Sequence, residues 1–238
     1  MLRAVCVGLG IVTLVCIGVW HHRVADRQVY ATGPVASPAP GSPGGAEIDA
    51  VRSALSGLRQ IARPSSDPEY RRVDFGPAWN DTDGDGCSQR RNALAAAVDR
   101  SRPLVERRRG RCARDVIAGT WADPYTGQVM TFTNLTDPNQ AQQIPIDHIV
   151  ALANAYRYGA RAWTPERRLA FATDLFNLQP TARATNLAKS DHDAASWRPR
   201  QAYQCSYAAR YVAVKAKYGL AVDATERRAL ASMLDTCR

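Results

Sequence analysis

Three short runs carry the residue types that hydrolytic chemistry needs: Asp147-His148-Ile149, Asn177-Leu178-Gln179 and Asn186-Leu187-Ala188-Lys189. An imidazole with a pKa of about 6.5 can take a proton from water at neutral pH, a contribution of about 10²–10⁴ in rate. Asp147 beside it is a hard oxygen ligand suited to Mg²⁺ or Mn²⁺, ions that leave coordination positions for substrate phosphate. Asn186, at the start of a helix, offers a second metal ligand through its amide oxygen. Asn177 supplies a polar side chain to fix the backbone around His148. Together these residues provide what single-metal hydrolysis of a phosphodiester requires: an activated water, a cation and precise positioning. The chain has four histidines. His21 and His22 flank an apolar N-terminal segment, so His148 and His192 are left as candidates for imidazole chemistry. His192 lies between Asp191 and Asp193 and reads as solvated, with a phosphate contact as the alternative. Lys189 reads either as a phosphate contact or as a surface lysine.

Local signals indicate how these residues are held. Ile48, Val51, Leu55, Leu58 and Ile61 recur at helical spacing and predict a helix ending before Pro64. Asp81-Thr82-Asp83-Gly84-Asp85-Gly86 begins like a calcium loop, but Asn92 stands where such a loop places its bidentate glutamate, and an Asp/Gly turn is the simpler reading. A helix follows over 88–98. Residues 116–121 and 128–132 favour strands around the turn signal Asp123-Pro124-Tyr125-Thr126-Gly127, predicting a β-hairpin. A short extended run from Ile144 to His148 gives way to a helix over 150–158. Thr164-Pro165-Glu166 opens another, with threonine as N-cap and proline at the first helical position. Two more complete the chain: 201–218, stopped by Gly219, and 224–234, opened by Asp223 and Glu226 as a capping box. Tyr203, Tyr207, Tyr211 and Tyr218 form a stripe that reads as core, with base stacking as the alternative.

Composition points away from the cytoplasm. From Ala4 to Trp20 the residues are apolar or small except Thr13, and a Pro/Ala/Gly/Ser-rich tether over 31–46 follows. Residues 1–30 therefore read as an uncleaved signal anchor, with a cleaved secretory signal as the alternative. The remainder, 47–238, is then exported, either membrane-anchored or secreted. Of six cysteines, Cys6 and Cys16 lie in the apolar segment. Cys87, Cys112, Cys205 and Cys237 remain, an even number without the C-x-x-C pairs of a structural zinc site. Cys87 with Cys112 and Cys205 with Cys237 is the simplest pairing, and two others are open. The net charge of +9 is dominated by arginine, including Arg71-Arg72, Arg90-Arg91, Arg107-Arg108-Arg109 with Arg111, Arg167-Arg168 and Arg227-Arg228. Such a chain suits a polyanionic partner, nucleic acid first among them. No protein partner can be inferred.

The runs Asp-His-Ile-Val, Asn-Leu-Gln and Asn-x-x-Lys resemble the ββα-metal core of the HNH endonucleases, in the variant with asparagine in place of the last histidine. Lys189-Ser190-Asp191-x-Asp193-x-x-x-Trp197-x-Pro199, Gly86-Cys87-x-x-Arg90 and Asp123-Pro-Tyr-Thr-Gly127 look like the exported bacterial branch of that family. The resemblance covers roughly 75–237. It implies an α+β fold: a ββα-metal (His-Me finger) core within about 116–199, surrounding helices, a small hairpin and two disulfides. It also implies that His148 is the general base with Asn177 supporting it, that Asp147 and Asn186 bind Mg²⁺ or Mn²⁺, and that Lys189 and Arg90 contact substrate. The implied reaction is hydrolysis of DNA, with RNA as a further substrate, at low sequence specificity. Two departures stand out: Ser190, where glycine is expected, and the extra residue Arg91 before Asn92. The alternatives are a non-catalytic surface protein that binds nucleic acid or anionic polymer on the same scaffold, and an envelope module that binds acidic wall polymer or lipid.

Overall fold

The computed structural model describes residues 44–67 and 69–237. The apolar segment with Cys6 and Cys16, and most of the tether, lie outside the described residues. Among the described residues no helix is long and apolar enough to cross a membrane. The fold is α+β, with a three-stranded and a two-stranded antiparallel sheet among helices.

Helix α1 (Gly45–Gly57) buries Ile48 and Leu55 and starts inside the stretch read as tether. It ends earlier than its apolar spacing predicts. Leu58 turns extended, and residues 59–61 run beside Val222, with Ile61 N–H donating to Val222 O at 3.0 Å. Arg227 donates to the carbonyls of Leu55 and Leu58, satisfying acceptors that a helix end leaves open. Helix α2 (Gln89–Ala97) follows the Asp81–Gly86 turn, whose Asp81 and Asp85 accept from the N–H groups of Gly84, Gly86 and Cys87.

Strands β1 (Val105–Arg109), β2 (Cys112–Ala122) and β3 (Val129–Phe132) form the larger sheet in that order. The predicted hairpin is β2 with β3, closed by Asp123 N–H to Gln128 O and Gly127 N–H to Asp123 O. Strand β1 escapes the sequence reading because all five of its residues are exposed. With both faces in water, a strand loses the alternation that betrays it.

The remaining elements are α3 (Pro138–Ala141), β4 (Ile146–His148), α4 (Leu152–Arg157), α5 (Pro165–Thr173), β5 (Leu178–Pro180), α6 (Arg183–Lys189), α7 (Gln201–Tyr218) and α8 (Ala224–Leu234). Thr164 caps α5, and Gly219 ends α7 in the left-handed conformation, as the sequence predicts. Asp223 caps α8 through Thr225 and Glu226 N–H. Glu226 does not complete a capping box: it is fully buried and pairs with Lys215 and Tyr211 of α7. The tyrosine stripe is core, with Tyr207 and Tyr211 fully buried and packed edge-on or tilted against neighbouring rings.

Two apolar cores result. One gathers α1, α4, α5, α7 and α8 around Phe171, Tyr207 and Leu230. The other joins α2, β2, β3, β4 and β5 around Trp121, Ile144 and Leu178. Two disulfides join elements: Cys205–Cys237 ties α7 to the segment after α8, and Cys87–Cys112 ties the approach to α2 to the start of β2. Strand β4 runs along the seam, with Ile146 in one core and Ile149 and Val150 in the other.

Ser190, the departure noted in the sequence, sits just past α6 at φ 48°, ψ −134°. That backbone costs a side-chain-bearing residue about 1–3 kcal/mol, offset by the roughly 0.4–1 kcal/mol that glycine adds to the unfolded chain's entropy. Ser190→Gly is therefore expected to raise stability by about 1 kcal/mol, read as a higher denaturant midpoint at unchanged slope.

Candidate functional site

Strands β4 and β5 pair antiparallel, with Asp147 opposite Gln179 and His148 opposite Leu178, and α6 follows directly. Three residue pairs cannot hold a ribbon by themselves, so side chains clamp it. Asn177, fully buried, accepts from Val150 N–H at 2.9 Å and donates to Val150 O at 3.2 Å. Its own carbonyl takes Ile149 N–H. Arg210 of α7 donates to the carbonyls of Leu175, Phe176 and Leu178 and to Oε1 of Gln179. No local signal marks Arg210, because everything it binds is distant in sequence.

His148 is nearly buried, and its Nε2 lies 2.8 Å from the carbonyl oxygen of Ala172. A carbonyl can only accept, so Nε2 carries the proton and Nδ1 keeps its lone pair. Trp79 stacks on the ring at 6.3 Å between centroids and 12° between planes. Trp79 itself has φ 59°, an uncommon backbone for a bulky side chain. Burial lowers the imidazole pKa to about 4; the Ala172 bond opposes this, and the charges of Arg72 and Lys189 add to it. The ring is therefore a neutral acceptor of fixed orientation across the physiological range.

Asp147 is 5% exposed. Its Oδ2 accepts from Tyr125 OH at 2.7 Å, and Lys189 Nζ lies 3.1 Å from Oδ1 and 3.0 Å from Oδ2. Burial raises the carboxyl pKa, while Lys189 and Tyr125 pull it down. The same ammonium donates to His148 O at 2.9 Å. Lys189 is fully buried, which corrects the expectation of a phosphate contact. An interior charge needs fixed partners, and Lys189 has them in Asp147 and His148. Arg90 is half-buried and donates to Ile144 O at 3.0 Å and Ala141 O at 2.8 Å, where it ties α3 to the approach to β4.

Asn186 lies one helical turn before Lys189 and so on the same side of α6. It is partly exposed, and its carboxamide bonds to nothing among the described residues. The helix is positioned by Asp123, which accepts from Thr185 Oγ1 at 2.8 Å and, with its other oxygen, from Tyr125 N–H at 2.9 Å. One turn thus delivers both the tyrosine that holds Asp147 and the anchor of α6. Tyr125, Trp79 and Arg210 are the contributors that sequence reasoning missed; only Tyr125 gave a signal, through the Asp123–Gly127 turn. His192 is exposed on the loop after α6.

The donor chemistry of Asp147 and Asn186, a carboxylate and a free amide oxygen, suits a hard divalent cation, and all four cysteines among the described residues are in disulfides. A carboxylate offers about four lone-pair positions. Lys189 and Tyr125 leave Oδ1 of Asp147 the oxygen with capacity to spare. Elsewhere, Asp81, Asp83 and Asp85 bring one oxygen each within 4.8 Å of one another, with the Asn92 amide donating to Asp83 and Asp85.

Residues 91–233 match the family described as GmrSD restriction endonucleases, C-terminal domain. The matched span takes in β4, β5 and α6. An uncharacterized secreted protein of the fungus Arthroderma benhamiae is 35% identical over 204 residues, covering 84% of this chain and 91% of that protein. No solved structure matches the chain.

Because the folded-state pKa of His148 lies below its unfolded value of about 6.5, the ring's contribution to stability is present above that value and is lost as pH falls toward 4. In metal-free protein, nitrogen-detected NMR should find His148 neutral and protonated at Nε2 at pH 6, titrating with a midpoint near 4. A midpoint near 6.5 would contradict the buried, carbonyl-bonded ring.

Proposed function

The chain belongs to the family of GmrSD restriction endonuclease C-terminal domains, and on that premise we propose that it is a metal-dependent endonuclease that cuts phosphodiester bonds of DNA, and of RNA where accessible, with low sequence specificity. The observation that carries this reading is the His148 imidazole, bonded through Nε2 to Ala172 O so that Nδ1 keeps its lone pair, on the strand residue next to Asp147. In this reading β4, β5 and α6 are the ββα core of an HNH-type nuclease.

His148 Nδ1 takes the proton from the attacking water. Its low basicity in the metal-free chain keeps it unprotonated and ready at neutral pH, and the Ala172 carbonyl stabilises the imidazolium that forms. Asn177 fixes the backbone that carries it. Asp147 and Asn186 would hold Mg²⁺ or Mn²⁺, which supplies charge neutralisation at the phosphate and the leaving oxygen. Lys189 and Tyr125 hold the Asp147 carboxylate in one orientation, so the ligand is in place before any cation arrives. Sequence-blind cutting is supported by the lack, among the described residues, of a dedicated base-reading element such as a helix-turn-helix or zinc finger.

Two observations support a place of work outside the cytoplasm: two disulfides, which persist in oxidising surroundings, and a relative described as secreted. Residues 1–30 would direct export and, if retained, tether the nuclease to a membrane.

The test is cleavage of supercoiled plasmid by the oxidised full-length protein with Mg²⁺ or EDTA, beside a His148→Ala variant of matched thermal stability. Nicking that needs the metal and falls about a hundredfold or more in the variant is expected. Binding without cutting by either protein, under any divalent metal, would leave the non-catalytic binding protein in its place.

A further inference from the structure

Several arginines among the described residues are engaged by the chain's own backbone. Arg90, Arg167, Arg168, Arg210 and Arg227 bond backbone carbonyls. The β1–β2 hairpin is different. Its two acidic residues are already engaged, Asp115 by Arg91 and Arg107 and Glu106 by Arg100 and Arg114. Arg108, Arg109 and Arg111 at the tip have no acidic partner among the described residues; Arg108 bonds only the neighbouring Gly110 carbonyl. All three are exposed.

This tip is stiff. Arg109 pairs with Cys112 across Gly110, which has φ 61°, so the loop is two residues long. Cys112 is bonded to Cys87. Gly86 packs so closely that a Cβ there would meet the Arg111 Cβ at 2.5 Å and Cys112 N at 2.8 Å. Among the described residues the adjacent acidic turn forms no ion pair with the tip; its carboxylates accept from its own amides and from Asn92.

The hairpin is also rigidly connected to the candidate site. Strand β2 runs without a break from Cys112 to Ala122 and enters the turn that presents Tyr125 to Asp147. Ten residue steps of strand span at most about 33 Å, close to one helical turn of B-DNA at about 34 Å.

Resting on the nuclease reading above, we propose that the β1–β2 hairpin is a clamp for the backbone of duplex DNA, gripping it with Arg108, Arg109 and Arg111 about one helical turn from the bond that is cut. A two-stranded ribbon fits the major groove of B-DNA, about 12 Å wide, whereas the deep, narrow major groove of A-form RNA does not admit it. A pre-stiffened cationic tip loses little entropy on binding. The clamp makes substrate length matter: a duplex shorter than one turn reaches the site without reaching the hairpin.

The experiment compares full-length oxidised wild type with the triple variant Arg108→Ser, Arg109→Ser, Arg111→Ser and with the matching triple lysine variant. Anisotropy in EDTA reads binding to a 30-bp DNA duplex, an RNA duplex of the same sequence and single-stranded DNA over a salt series. Each phosphate contact adds about 0.9 to the slope of log affinity against log salt. The serine variant should lose two to three from that slope on duplex DNA and weaken at least tenfold near 0.1 M salt, while the lysine variant keeps most of both. With Mg²⁺, wild type should cut 30-bp duplex with a lower KM than 8-bp duplex, and the serine variant should lose that difference at unchanged kcat. An unchanged slope in the serine variant overturns the clamp, as does equal loss on RNA duplex or single strands, or no wild-type affinity for duplex DNA. Should wild type bind but not cut, the nuclease reading fails while the salt slopes still decide the hairpin.

Discussion

The carboxylate of Asp147 is the point on which the rest of the structure depends. A charge taken out of water is costly unless paired and hydrogen-bonded, and stripping a buried pair of one partner costs about 3–5 kcal/mol. Asp147 finds its partners in two other parts of the chain: Tyr125 in the β2–β3 turn and Lys189 at the end of α6. Satisfying one buried group therefore brings together β4, the hairpin turn and the helix that carries Asn186. Asp123, the residue directly after β2, repeats the device, linking the Tyr125 backbone to Thr185 of α6. The chain fixes this corner through polar contacts because β4, at three residues, is too short to be held by its own ladder.

His148 gains its properties from the seam between the two cores. Burial, the Ala172 carbonyl and the Trp79 ring leave it one tautomer and one orientation. A free surface histidine would titrate near neutrality and sample several rotamers. Trp79, whose left-handed backbone is uncommon for a bulky side chain, packs its ring over the imidazole and against the core around Trp121.

Legibility in the sequence follows the range of the interactions. Helices α5, α7 and α8, the β2–β3 turn and the ends set by Thr164, Gly219 and Asp223 rest on contacts within a few residues, and the sequence declares them. The disulfides pair neighbours along the chain, and that simplest connectivity is the one observed. What was hidden is long-range. Glu226 carries the signature of a capping box, but the interior offers Lys215, a stronger partner than a backbone N–H. Lys189 and Arg90 read as substrate contacts because a sequence does not reveal that an aliphatic stem leads to carbonyls and a carboxylate of the same chain. Ile61 has the spacing of a helix residue, yet Val222 recruits it into a bridge. Strand β1 lacks an apolar face, so only its partner β2 makes it a strand.

The pairing of Asp147 and Asn186 as metal ligands, proposed above, is the centre of this account. The direct test is metal binding without catalysis: titration of Mn²⁺ into the full-length protein, followed by the electron paramagnetic resonance of the free ion, for wild type, Asp147→Asn and Asn186→Ala. The account predicts a single site of measurable affinity that weakens at least tenfold in each variant, with the partly exposed Asn186 position leaving the fold intact. Equal Mn²⁺ binding by all three proteins would contradict it.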